Sequence, residues 1–184
     1  MKAFSYNALP GRVVFGVGAL EQLGEEIERL GAKRALVLST PQQRAQADDI
    51  ARRLGARAAG VYDQALMHTP IESVRAARLL AKSLDADCAV AIGGGSTVGL
   101  GKGIALESAL PILAIPTTYA GSEMTPILGI TENGIKKTQR DLRMLPKVVI
   151  YDPNLTLSLP VGFSATSAMN AIAHCVEALY AQDA

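Results

Sequence analysis

Apolar positions along the chain switch repeatedly between two periods, and that alternation predicts a fold class before any chemistry is considered. Val13 to Val17 reads as a strand; Ala19, Leu20, Leu23, Ile27 and Leu30 then recur at helical spacing until Gly31 stops them. Ala35-Leu36-Val37-Leu38 is a short unbroken apolar run, as expected of a strand buried on both faces. Thr40-Pro41 reads as an N-cap with proline at the first helical position. Thr69-Pro70-Ile71-Glu72 has the form of a capping box and opens a helix to about Leu84. Cys88 to Ile92, Pro111 to Ile115 and Val148 to Tyr151 supply further strands. This order predicts an α/β, Rossmann-like parallel sheet with helices on both faces. Such sheets bind ligands at the carboxyl ends of their strands, where Ser39, Gly93 and Thr117 fall.

Two segments depart from the alternation. Ile127 to Thr131, Glu132-Asn133-Gly134 and Ile135 to Gln139 predict a β-hairpin with Asn-Gly in its turn. Lys136, Lys137, Arg140, Arg143 and Lys147 follow closely, offset by Asp141. This is either an anion-facing patch or a ribbon edge protected by lysines, and the residues alone leave both open. Farther on, Ser164 or Thr166 is placed to cap a helix containing Met169, Ile172, Ala173, Val176 and Leu179-Tyr180. That helix runs almost to Ala184 with neither glycine nor proline to stop it. An amphipathic helix with no partner for its apolar face leads us to expect the first part of a longer protein.

Composition narrows the class. The chain of 184 residues is 49% hydrophobic and 19% charged, the balance of a globular domain with a real core. Eighteen basic against seventeen acidic residues leave a net charge of +1, so no global field recruits nucleic acid or an anionic membrane. The two cysteines, Cys88 and Cys175, form no disulfide framework, and reduced thiols are expected. Met1-Lys2-Ala3-Phe4-Ser5 lacks the apolar core of a signal peptide, and no apolar run is long enough to span a bilayer. A soluble, cytoplasmic protein is the expectation.

The chemistry concentrates at Gly93-Gly94-Gly95-Ser96. A buried strand ends there in three glycines and enters a helix, so backbone N–H groups can approach a phosphate with no Cβ in the way. The positive end of the following helix adds to this. A nucleoside-triphosphatase phosphate loop is excluded: Ser96 stands where its first glycine belongs, and Gly103 where its hydroxyl should be. The G-x-G-x-x-G fingerprint fails at Val98.

Four stretches together resemble the iron-containing alcohol dehydrogenase superfamily: Gly93 to Ser96, Pro116-Thr117-Thr118 through Gly121-Ser122-Glu123, Tyr151-Asp152-Pro153 with Leu159-Pro160, and Asn170 through His174 to Glu177. The resemblance implies a nucleotide-binding α/β domain over residues 1–160. Residues 161–184 would then begin an all-helical domain that carries metal or substrate ligands, and the whole would be a homodimer. Three departures resemble the maleylacetate reductase branch: Gly99 in place of an aspartate, a threonine loop one residue short, and Asn170 in place of the aspartate of Asp-x-x-x-His. That branch implies reduction of the carbon–carbon double bond of maleylacetate, a small dicarboxylate, to 3-oxoadipate during aromatic-compound degradation. The alternatives are a metal-dependent alcohol or aldehyde dehydrogenase and a non-catalytic dinucleotide-binding module.

By the same resemblance, Gly93, Gly94, Gly95 and Ser96 hold the cofactor pyrophosphate. Thr117 and Thr118 contact pyrophosphate and nicotinamide ribose, Lys137 or Lys136 reaches a ribose hydroxyl, and Ser122 joins the set. Ser39 and Thr40 follow the second strand, where an acidic residue would favour NADH; their neutral hydroxyls admit NADH or NADPH. Asn170 and His174, four apart on a helix, share a face. A neutral amide is a poor ligand for iron or zinc, so no catalytic metal is expected, with His174 polarising or protonating the substrate and Asn170 orienting it.

Overall fold

The computed structural model describes residue 9 and residues 11–181; the Met1 to Ser5 reading above lies outside them. Six parallel strands form one sheet: β1 (Arg12–Phe15), β2 (Ala35–Leu38), β3 (Ala58–Tyr62), β4 (Cys88–Gly93), β5 (Ile112–Pro116) and β8 (Val148–Tyr151). Their spatial order is β1-β8-β5-β4-β2-β3. A separate antiparallel ribbon pairs β6 (Ile127–Glu132) with β7 (Ile135–Arg140). Its turn places Asn133 at φ 51° and Gly134 at φ 75°, the left-handed pair that a two-residue hairpin requires.

The central strands β2, β4 and β5 are buried along their whole length, which accounts for their unbroken apolar runs. Helices α1 (Leu23–Arg29) and α2 (Arg44–Leu54) cover one face, packing Leu23, Ile27, Ile50 and Leu54 on Val37, Val90, Ile92 and Leu113. Helices α3 (Ile71–Ser83) and α4 (Gly95–Ser108) cover the other, packing Val74, Ala77, Leu100 and Ile104 on Leu36, Leu38, Ala89 and Ala91. The predicted two-sided sheet is therefore the observed one. No helix of the described residues is long and apolar enough to cross a membrane.

Two local expectations are corrected, and one strand is added that the pattern did not predict. Thr69 does not cap α3: Pro70 occupies the N-cap position with no side-chain bond, and Thr69 sits at φ 46°. The reason is tertiary, because the chain before α3 pairs with the hairpin: the Thr131 amide donates to the Thr69 carbonyl (3.2 Å) and the Thr131 hydroxyl to the His68 carbonyl (3.0 Å). The last helix, α5 (Val161–Tyr180), starts after Pro160, ahead of both Ser164 and Thr166. The Thr166 hydroxyl instead donates back along the helix to the Gly162 carbonyl at 3.0 Å. Finally, β3 follows α2 after one tight turn; its Ala-Ala-Gly-Val-Tyr, half-buried at the sheet edge, shows no period that predicts a strand.

Candidate functional site

The connections that leave β2 and β4 diverge, one toward β3 and the other toward β5, on opposite faces of the sheet. A crevice opens at such a switch point, outside the carboxyl ends of the strands. Here it is a cleft of about 620 Å³ lined by Thr40, Gln42, Gln43 and Gln46 from the β2 side, Gly94 to Ser96, Thr117, Thr118, and Leu159, Pro160 and Phe163. Among the described residues no carboxylate lines it. Gly93 has φ +146°, and a Cβ there would lie 2.6 Å from Thr97 Oγ1 and 2.7 Å from Gln43 Oε1. A Cβ on Gly94 would stand 3.0 Å from the Thr118 side chain. Gly93 is thus dictated by its backbone conformation and by close approach, and Gly94, at φ −93°, by close approach alone. Gln43 ties the two sides together, its Nε2 donating to Thr117 Oγ1 at 2.9 Å.

A second cavity, about 250 Å³, opens on the other side of the α4 N-terminus and shares Gly95 and Ser96 with the cleft. His68, Thr69, Gly99, Ser122, Leu128 and Lys136 contribute to its wall. Gly99 leaves room for the neighbouring loop: a Cβ there would be 2.6 Å from Thr69 Oγ1. Lys136 reaches across Gly129 into the wall, whereas Lys137, the next residue of β7, points to the opposite face of the ribbon. Beneath the wall lies Lys102, fully buried. Its ammonium donates to the Ser122 carbonyl (2.6 Å), the Ile127 carbonyl (2.8 Å), Ser122 Oγ (3.1 Å) and Thr125 Oγ1 (3.2 Å). Burial pushes its pKa down to about 8, opposed by the nearby Glu123 carboxylate. Glu123 in turn accepts from the Tyr151 hydroxyl at 2.6 Å, and burial followed by that bond pushes the phenol above its ordinary range.

The structure therefore gathers Gly94, Gly95, Ser96, Thr117, Thr118 and Thr40 around one cleft, with Gly93 at its root, and sets Ser122 in the adjoining cavity. It does not bring Ser39 there. That residue is fully buried behind the β2 turn, its hydroxyl without a hydrogen-bond partner among the described residues. Asn170 and His174 are exposed on α5, with His174 Nδ1 3.4 Å from Glu177. Among the described residues no cluster of three or more His, Cys, Asp or Glu side chains is arranged to hold a metal ion. Gln43 and Lys102 escape a reading of the sequence alone. Glutamine after a proline cap has no distinctive signal, although a lysine inside the otherwise apolar run from Val98 to Leu106 could have been flagged.

Comparison with known proteins gives a consistent picture. A family model described as iron-containing alcohol dehydrogenase matches residues 10–153. The maleylacetate reductase of Burkholderia cepacia is 63% identical over 183 residues, covering 100% of this chain and 52% of that protein. The crystal structure of maleylacetate reductase from Agrobacterium tumefaciens superposes with TM-score 0.97 at 57% identity, again over 100% of this chain and 52% of that one. The NADH-dependent butanol dehydrogenase A of Thermotoga maritima superposes with TM-score 0.83 at 25% identity, over 96% of this chain and 51% of that one. The chain spans about half the length of the curated relatives it matches.

Proposed function

The chain belongs to the iron-containing alcohol dehydrogenase family, and from that premise we propose that the intact protein is an NADH- or NADPH-dependent oxidoreductase that reduces maleylacetate to 3-oxoadipate. One observation carries the finer part of this reading. Where the family pattern pairs aspartate with histidine, α5 presents Asn170 and His174. We also take residues 1–160 as the dinucleotide-binding unit and α5 as the start of a second, helical one.

The cleft fits a dinucleotide. Gly93 to Ser96 and the first N–H groups of α4 would hold the pyrophosphate, since they form an unobstructed donor-rich helix start. Thr117 and Thr118, held by Gln43 and packed on Gly94, would bind pyrophosphate and ribose hydroxyls. Ser122 and Lys136 would serve the nicotinamide ribose from the second cavity, with Lys137 next to Lys136 on β7. Thr40 meets the adenosine ribose; with no carboxylate in the cleft, a 2′-phosphate meets no repulsion there. When bound, the dihydronicotinamide supplies the hydride.

Reduction of a double bond conjugated to a ketone develops charge on an enolate oxygen, which hydrogen-bond donors stabilise without a Lewis acid. His174 donates to that oxygen, and Asn170 orients the substrate beside it. The donor pair on this helix, a neutral amide and one imidazole, suits iron or zinc poorly. The test is NADH oxidation by the intact protein with maleylacetate after exhaustive chelation. Turnover supports the reading. Activity restored solely by iron or zinc, and directed at simple alcohols, moves the protein to the metal-dependent dehydrogenases of the family. Dinucleotide binding with no turnover of any substrate makes it a binding module.

A further inference from the structure

Lys102 is fully buried on α4, yet among the described residues none of its hydrogen-bond partners is a carboxylate. A charge so enclosed is costly unless its donors are satisfied. Here the oxygens of one short segment, from Ser122 to Ile127, satisfy them. Ser122 is gripped twice, through its carbonyl at 2.6 Å and through its Oγ at 3.1 Å. Thr125 closes a ring: its Oγ1 accepts from the ammonium at 3.2 Å and donates to the same Ser122 carbonyl at 3.1 Å. Because Ser122 Oγ accepts from Lys102, its own hydrogen is left to donate into the second cavity, whose wall Ser122 shares.

We propose that Lys102 is a positioning residue that fixes Ser122 against α4, and so sets the nicotinamide-ribose end of the dinucleotide site at a fixed distance from the pyrophosphate end. This rests on the function proposed above. Both ends hang on the same helix. Gly95 and Ser96 form its first turn, and Lys102 lies about two turns on, in a stretch from Thr97 to Ala105 that is buried throughout. That helix cannot shift without repacking Leu100 and Ile104 on the sheet. The segment that carries Ser122 has less support, since Gly121 and Met124 on either side of it are exposed. Glu123 is held toward β8 by Tyr151, which leaves Ser122 itself to Lys102. The ammonium touches neither cofactor nor substrate on this reading. Its loss should therefore act through Ser122, weakening the hold on the nicotinamide half and sparing the adenosine and diphosphate half in the cleft.

Variants of the intact protein test this: Thr125→Val opens the ring while keeping the side-chain shape, Thr125→Ser keeps the hydroxyl, and Lys102→Met removes the ammonium. NADH binding is followed by fluorescence titration. Binding of ADP, which carries the adenosine and diphosphate but no nicotinamide ribose, is followed by calorimetry. We expect the NADH dissociation constant to rise about fivefold in Thr125→Val and about tenfold in Lys102→Met, the worth of one or two hydrogen bonds. The ADP dissociation constant should stay within about twofold, and Thr125→Ser should bind NADH as the wild type does. If Lys102→Met fails to fold, the two Thr125 variants decide alone. Unchanged NADH affinity in Thr125→Val, an equal loss for NADH and ADP, or the same loss in Thr125→Ser overturns the proposal. If the wild-type protein binds no NADH, the function proposed above fails and the role of Lys102 with it; if it binds NADH and Thr125→Val binds it equally well, the role of Lys102 alone fails.

Discussion

Gly99 offers a test in which the sign of a mutational effect depends on one neighbouring side chain. It lies inside α4, where alanine is ordinarily favoured over glycine by about 1 kcal/mol. The Cβ of Gly99→Ala, however, would stand 2.6 Å from Thr69 Oγ1. Thr69 cannot retreat freely, because it is nearly buried and its carbonyl is bound by the Thr131 amide. Overpacking of this kind costs about 2 kcal/mol, so the net expectation is a loss of about 1 kcal/mol. In a Thr69→Ala background the obstruction is gone, and Gly99→Ala should then stabilise by about 1 kcal/mol. The cycle thus predicts a coupling of about 2 kcal/mol and a change of sign. Urea unfolding followed by far-ultraviolet circular dichroism of the four proteins measures it. If Gly99→Ala has the same effect in both backgrounds, Thr69 does not dictate glycine at this position and the reasoning is wrong.

Three further outcomes are expected. The Arg12 guanidinium, bound to Glu26 at 2.7 and 2.9 Å, holds that buried carboxyl below its ordinary range. Its stability contribution is therefore complete above the ordinary glutamate value and lost as pH falls through the lower folded one; Glu26→Gln should be less stable at pH 7, with a smaller further loss in an acid titration. Lys102 titrates near pH 8 when folded but near about 10.4 when unfolded, so the unfolded chain binds the extra proton in between. Stability should rise across that window in the wild type and not in Lys102→Met, an effect that Tyr151, shifted upward, opposes from about pH 10. Gln43→Ala frees Thr117 and should weaken NADH binding about fivefold, the worth of one hydrogen bond, as measured by fluorescence titration; unchanged affinity would remove Gln43 from the site.

The layered fold was legible because burial on both faces leaves an unmistakable trace. Strands β2, β4 and β5 must be apolar throughout, and β8 nearly so. The glycine turn was legible for a related reason, since backbone approach excludes every side chain. What was not legible depends on partners distant in sequence. Thr69 has the residues of a capping box, yet the hairpin some sixty positions later claims its backbone. Ser39 and Thr40 are adjacent hydroxyls after the same strand, but Thr40 lines the cleft and Ser39 is sealed behind it. The alternation of a ribbon likewise cannot say which lysine lines the cavity: the register sets Lys137 opposite the buried Ile130, yet it is Lys136, reaching across Gly129, that contributes to the wall.

Of the two aspartates that the family pattern would place here, one is replaced by Gly99, where Thr69 leaves no room for a side chain, and the other by Asn170, where an electrostatic argument applies. If the protein acts as proposed, a carboxylate at Asn170 would confront the dicarboxylate maleylacetate with like charge. At an effective dielectric of about 20, two unit charges about 6 Å apart repel by about 3 kcal/mol, which is a factor of more than 100 in affinity. Where the substrate is a neutral alcohol no such repulsion arises, and a carboxylate can hold the divalent cation that a developing alkoxide needs. Where the substrate is itself a dianion and the charge develops on an enolate, removing the carboxylate relieves the repulsion and the need for the metal together. On that reading the neutral Asn170 suits the substrate, whereas Gly99 is dictated by the Thr69 side chain packed beside it. Restoring a carboxylate at Asn170 should accordingly raise KM for maleylacetate and raise zinc affinity in the same variant; a change in one without the other would separate the two effects.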